Sequence, residues 1–283
     1  MTRMSFNARA IALLLLLATP VLGQVADGDR HYAARAEGAV GAHAKAEQID
    51  AAIAAYQRAL AANASDVEAH WKLLRAYRYK GAYVAANAEQ KKQIYGIAKT
   101  AGEKALGVVN ARLGTNAKSS EQQVAEAARK VPGAGEAFFW DAVNWGEWAL
   151  AYGKMAAARQ GAADRIKRGA TIALLVDPRM EMGSPARVLG RLHDQTPRIP
   201  FITGWASSKE AVRFLNESLK IDPTNKLTLL FLAEATVSAD SSKKPQALQM
   251  LRTAINTPAH PEFTVEDAAA IEDAKALLRK WGG

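Results

Sequence analysis

Side chains that could carry out chemistry are few in this chain and sit at spacings that fit no reaction. There is no cysteine, and the five histidines, His31, His43, His70, His193 and His260, show neither the i, i+4 pairing nor the H-E-x-x-H pattern that places two imidazoles on one metal. No G-x-S-x-G elbow, phosphate loop or G-x-G-x-x-G turn occurs, and "GAGEA" at 133–137 reads as the lead-in to a helix. Asp141 and Glu147 are six residues apart on a helical stretch, so they point to different faces and cannot act as an acid–base pair. The expectation is a protein that is not an enzyme and that has no metal and no cofactor.

What the chain has instead is aromatic density. "EAFFWDAVNWGEWALAYGK" (136–154) holds Phe138, Phe139, Trp140, Trp145, Trp148 and Tyr152, six of twenty aromatic residues. At 100° per residue Phe138, Trp145, Trp148 and Tyr152 share one face, and Phe139, Val143, Gly146 and Leu150 another. A helix apolar nearly all round is central and buried, so Asp141, Asn144 and Glu147 need partners. Two readings stay open: a core helix that buries large area, or a wall of a pocket for a small, apolar ligand.

A second unusual stretch is "GSPARVLGRLHDQTPRIPFITGW" (183–205). Ser184 and Pro185 open a helix that carries Arg187 and, one turn on, Arg191; Pro197 and Pro200 then break it. The rigid run with Ile199, Phe201, Ile202 and Trp205 is too apolar for a solvated loop. It either folds back over the aromatic helix or is displayed as a contact patch for another protein.

The elements that position these residues read as helices throughout, with capping boxes at Ser65/Glu68, Ser120/Gln123 and Ser207/Glu210. Three segments repeat one pattern of small and large residues. It is Ala52-Ile53, Tyr56, Ala59-Leu60 in 49–66, Ala211-Val212, Leu215, Ser218-Leu219 in 208–225, and Ala247-Leu248, Leu251, Ala254-Ile255 in 244–258. Asp177-Pro178 and Asp222-Pro223 stop helices at equivalent points. Residues 67–83, with Leu73, Ala76, Tyr77 and Gly81, and 184–194, with Leu189 and Gly190, supply partner helices. The fold class expected is all-α: degenerate tetratricopeptide-like repeats in a compact solenoid, closed by an amphipathic cap with Ile271, Ala274, Leu278 and Trp281 on one face.

The first 23 residues place Arg3 and Arg9 before an apolar run from Ala10 to Ala18, then Pro20 and Gly23, the layout of a secretory signal peptide. The run is about half of the roughly 20 residues a membrane span needs. Residues 24–283 are then a single helical domain, exported to the periplasm and stabilised by its core without disulfides. The formal charge of +9 is scattered among acids, without a basic stripe, so it reads as a solvated surface and not as a nucleic-acid site.

With these residues in view, the chain resembles the TatT family, the T component of tripartite ATP-independent periplasmic (TRAP) transporters. The resemblance is carried by "FFWDAVNWGEWALAYGK", by "DPRMEMGSPARVLGRLHDQTP", and by the G-W…A…L…S-L-K-I-D-P…L-A-E-A pattern that runs to Ala235. It implies a periplasmic accessory protein that forms homo-oligomers and associates with the transporter's substrate-binding subunit. It also implies a channel for a hydrophobic ligand, lined by Trp140, Asn144, Trp145 and Trp148 with Arg187, Gly190 and Arg191 beside it. The alternative is a periplasmic repeat scaffold that docks proteins during envelope assembly.

Overall fold

The computed structural model describes residues 19–200 and 202–282. In them the chain forms thirteen α-helices and no strand. They are α1 (Thr19–Ala33), α2 (Ala46–Ala62), α3 (Val67–Tyr83), α4 (Ala88–Leu113), α5 (Glu121–Ala128), α6 (Ala134–Tyr152), α7 (Lys154–Arg159), α8 (Ala162–Val176), α9 (Met180–Gln195), α10 (Ser208–Ile221), α11 (Lys226–Ala239), α12 (Lys244–Asn256) and α13 (Thr264–Lys280). The first eighteen residues of the expected leader lie outside the described residues, and Thr19–Gly23 open α1. No described helix is long and apolar enough to cross a membrane.

Helix starts follow local chemistry, with two corrections. Ser120 and Gln123 form the full reciprocal capping box. The start of α3 is capped by Asp66, whose carboxylate accepts from the Ala69 amide at 3.0 Å, because Ser65 is drawn back into an Asn63 side-chain turn. Ser207 caps α10 as expected, but the Glu210 carboxylate turns away to Arg213 at 2.6 Å instead of closing the box. The Asp-Pro stops hold: α8 ends at Val176 with Asp177 as its cap, and α10 ends at Ile221 before Asp222.

The helices stack as an all-α solenoid of two layers. Each main helix packs on the next in sequence, and α1, α3, α6, α9, α11 and α13 also touch each other in series. The second layer consists of α2, α4, α8, α10 and α12, with α5 and α7 filling in against α8. The repeated residues explain this layer. Ala52, Tyr56 and Ala59, then Ala211, Leu215 and Ser218, then Ala247, Leu251 and Ala254 are all fully buried. The two small residues let the helices approach, and the large one between them fills the gap, with about 1.5–3 kcal/mol from each such buried side chain. A fourth copy, Ala162, Ile166 and Gly169 in α8, is also buried but is disguised by the glycine and by flanking charges.

The turn that follows α1 meets α13, the last helix of the first layer. Arg35, just past α1, bonds to Glu266 of α13 at 3.0 Å and to the Glu262 carbonyl at 2.6 Å, and Val265 sits in the same apolar cluster as α1, α2 and α3. A contact across 231 residues fixes the curvature: the layer containing α3, α6 and α9 is the inner one, and it closes on itself.

Candidate functional site

The inner face is lined by charge and tyrosine more than by indole. Helix α3 projects Trp71, Arg75 and Arg78 from one side, at helical i+4 and i+3 spacing, and Tyr83 at its end reaches Arg78. Helix α6 presents Trp140, Asn144 and Glu147 by the same spacing. Helix α9 adds Glu181, Arg187 and Arg191. The three are tied together: the Asn144 Nδ2 donates to the Leu74 carbonyl at 3.0 Å and to the Trp140 carbonyl at 2.9 Å, and Arg78 meets Glu147 at 3.4 Å. Trp140, Leu74 and Met180 form one buried cluster with Trp71 and Val188 at its edge.

Most of these charges are paired. Arg78 also donates to the Tyr83 hydroxyl at 2.8 Å. Burial opposes its charge, yet Tyr83 and Glu147 outweigh that and hold its pKa above the ordinary arginine value. Arg191 bonds to Glu234 at 2.6 Å and covers the Phe231 ring at 4.2 Å. Arg35 lies over Tyr32, Tyr79 and Phe263 while bonded to Glu266.

Two arginines are different. Arg75 covers Tyr32 at 3.9 Å and Trp71 at 4.9 Å, and its buried Nε has no hydrogen-bond partner among the described residues. Arg187 bonds only to neutral oxygens, those of Asn225 and Thr228 at 3.2 Å and that of Ser184. Burial, and then the neighbouring Arg78, push its pKa down to about 10. Burial raises the pKa of Glu181 against the pull of Arg75, Arg187 and Arg35. The indole Nε1 of Trp140 and the Oδ1 of Asn144 are also buried without partners among the described residues.

Glu181 stands where the backbone is strained. Glu181, Met182 and Gly183 all have left-handed conformations, with φ of 45°, 58° and 79°, and the regular part of α9 begins only at Ser184. For a residue with a Cβ this conformation costs about 1–2 kcal/mol. Ser184 therefore does not cap by accepting an amide; its hydroxyl donates to the Glu181 carbonyl and so clamps the kink.

The structure does not bring all the sequence-selected residues to one place. Trp140, Asn144, Arg187 and Arg191 face inward. Trp145 lies in the core between α4 and α8, with Lys99 and Arg165 over its ring at 4.8 and 4.7 Å, and packs edge-on to Trp148, which stacks on Tyr152. Those indoles interdigitate instead of lining a void. Asp141, also in this core, is held by Arg165 at 3.3 Å and raised to about pKa 6 by burial; it approaches so closely that a Cβ on Gly102 would lie 2.1 Å from its Oδ1. Gly190 is a packing residue at the α9–α10 crossing, where a Cβ would meet Leu215 at 2.6 Å.

The apolar connection after α9 packs on α8 and α9, and its Trp205 borders the cluster that holds Trp145 and Trp148 of α6. Trp205 donates to Asp164 at 3.1 Å and stands edge-on to His193 at 5.2 Å, while Ile199 and Ile202 are exposed; Phe201 lies outside the described residues. The residues missed from sequence are Arg75, Arg78, Glu181, Tyr32 and Tyr83. The arginine spacing in the inner helix at 67–83 was their available signal. A separate open groove of about 1270 Å³, lined by Leu60, Leu73, Tyr77, Ile97 and Val108, runs between α2, α3 and α4.

No protein-family model matches the chain, and comparison with curated proteins finds no match. Among solved structures it is similar to the TPR2AB domain of yeast Sti1 in its pHSP90 complex, at 14% identity over 93% of this chain and 98% of that one, with a TM-score of 0.33. At that score the likeness adds nothing to the fold, which rests on the helix pairing described above.

Proposed function

We propose that the chain is an exported, non-catalytic binding subunit of a TRAP-type transport system. It engages the system's substrate-binding protein in the periplasm and offers its inner face to a small hydrophobic ligand. One observation carries this reading: α6 and α9, the helices that hold the two most distinctive stretches of resemblance, stand together in the middle of the inner layer and supply Trp140, Asn144, Glu181 and Arg187 to it. Exposed Leu150 and Met155, with Ile199 and Ile202, border the core around Trp148 and Trp205 and are the surface we assign to self-association or to the partner.

The test is capture from a periplasmic extract with the full chain as bait. An extracytoplasmic substrate-binding protein as the main species supports the reading. Retention of envelope-assembly proteins with no transporter component contradicts it. That outcome favours the second reading, a peptide-docking scaffold, for which the apolar groove between α2, α3 and α4 is the specific observation.

A further inference from the structure

We propose that the groove between α2 and α4, floored by α3, receives an amphipathic α-helix of a partner protein, with small and branched apolar residues on the side that enters and a carboxylate set over Lys104. The groove lies on the opposite side of α3 from Trp71, Arg75 and Arg78, so the site goes beyond the transport reading and is tested apart from it.

The inference starts from how the chain fills the neighbouring gap. Between α4 and α8, over α6, it lays its own α5, which touches all three helices. Val124, Ala125 and Ala128 of α5 are buried there in one cluster with Val109 of α4, Phe138 of α6 and Ile172 of α8, and Glu121 of α5 reaches Arg168 of α8 at 3.6 Å. The gap between α2 and α4 has the same construction, two second-layer helices over one inner helix, but no described helix occupies it. It is an open groove of about 1270 Å³ with Leu60 on α2, Leu73 and Tyr77 on α3, and Ile97 and Val108 on α4. Ile97 is 53% exposed, a large apolar side chain left facing water.

Helix α4 is shaped for close approach along this side. Gln93, Ile97, Thr100, Lys104 and Gly107 line the groove at helical spacing, a stripe about 21 Å long, or roughly four turns. A Cβ on Gly107 would meet nothing within 4 Å, whereas Gly102, on the packed side of the same helix, would place one 2.1 Å from Asp141. Glycine in a helix interior lowers helix stability, and at position 107 the chain's own packing gains nothing from it. It leaves room for a second backbone to come against α4. The charge of the groove points the same way. No carboxylate lines it, and the exposed Lys104 makes no ion pair with any described residue. These features select a helix with small apolar positions one turn apart and an acid beside them, the chemistry that α5 already brings to the next gap.

Fluorescence anisotropy with the full chain tests this. The probes are lactam-stapled helical peptides of about sixteen residues that repeat the α5 pattern, with Val, Leu or Ile in the apolar stripe and glutamate beside it. The same peptides with lysine for glutamate, or with a proline at the centre, are the controls. An acidic peptide is expected to bind about threefold or more above its lysine counterpart and about tenfold or more above the proline form. Gly107→Leu fills the groove and is expected to weaken binding about tenfold while the thermal midpoint stays level or rises, a combination that structural damage does not produce. Lys104→Glu is expected to reverse the preference between glutamate and lysine peptides, and Lys275→Glu on the exposed face of α13 to leave it unchanged. Absence of binding by every acidic peptide, binding indifferent to Gly107→Leu, or an unaltered preference in Lys104→Glu overturns the site. A fall in the chain's own mass on Gly107→Leu, read by sedimentation velocity, overturns it in favour of a second copy in the groove. Loss of the substrate-binding protein from the capture experiment with peptide binding intact sinks the transport reading alone.

Discussion

Replacing Arg35 by alanine opens the ring at its seam, and the size of the effect follows from what the side chain touches. Arg35 is 7% exposed, with bonds to Glu266 at 3.0 Å and to the Glu262 carbonyl at 2.6 Å, and it lies over the Tyr32 ring at 4.6 Å. Hydrogen bonds to a charged group contribute about 1.5–3 kcal/mol each, and a partly buried cation over an aromatic face about 1 kcal/mol. The contributions are not additive, and the freed Glu266 side chain, 19% exposed, regains some hydration, so a net loss of about 3 kcal/mol is expected. That loss falls on one seam, not on the whole stack, since each solenoid layer is held by its neighbours. Hydrogen exchange read by mass spectrometry should show protection in 264–280 falling by about a hundredfold in Arg35→Ala, with α4, α6 and α8 unaffected. Unchanged exchange in 264–280 would refute the reasoning, because the seam would then be held by something other than this guanidinium.

Three further outcomes follow from packing and burial. Burial holds the folded-state pKa of Asp141 at about 6, against about 3.8 for an ordinary aspartate, so the folded state binds the extra proton and wild-type stability from this group rises as pH falls from 7 towards 4. Asp141→Asn should remove that slope and be the more stable protein at pH 7 by up to about 3 kcal/mol, read as the difference in urea midpoints between the two proteins at pH 7 and pH 4.5. Gly190→Ala places a methyl 2.6 Å from Leu215 and should cost about 1–3 kcal/mol; thermal unfolding within 1 °C of wild type contradicts the close crossing. Leu215→Ala removes the large member of a fully buried triad and should cost about 2–5 kcal/mol by the same measurement, whereas the adjacent exposed Asn216→Ala should be nearly neutral.

Much of the framework was legible in the sequence because it depends on short-range rules. The span 67–83 matches α3 residue for residue, since a polar cap and an apolar period of 3.6 define it locally. The small-large-small triads were legible because one crossing geometry recurs. The site was only partly legible. Trp140 and Trp145 are about 140° apart on a helix, so the spacing itself separates the inner pair Trp140 and Asn144 from the core pair Trp145 and Trp148. Which side of α3 faces inward could not be read locally. That direction is set by the superhelical curvature, and the curvature is fixed by Arg35 reaching Glu266 across 231 residues. The resemblance places Gly190 beside a channel, but its role, like that of Gly102, is to let a neighbouring side chain, Leu215 or Asp141, come close.

The account depends most on the turn after α1 meeting α13 so that α3, α6 and α9 face a closed interior. The chain has no cysteine, so a pair introduced as Gly41→Cys with Glu272→Cys is the only thiol pair present, at positions where a Cβ on residue 41 lies 3.1 Å from the Glu272 carboxylate. Treatment of the dilute monomer with a short bifunctional maleimide should give a single intramolecular crosslink in nearly all molecules. Independent labelling of both cysteines, with no crosslinked species, contradicts the closed inner face.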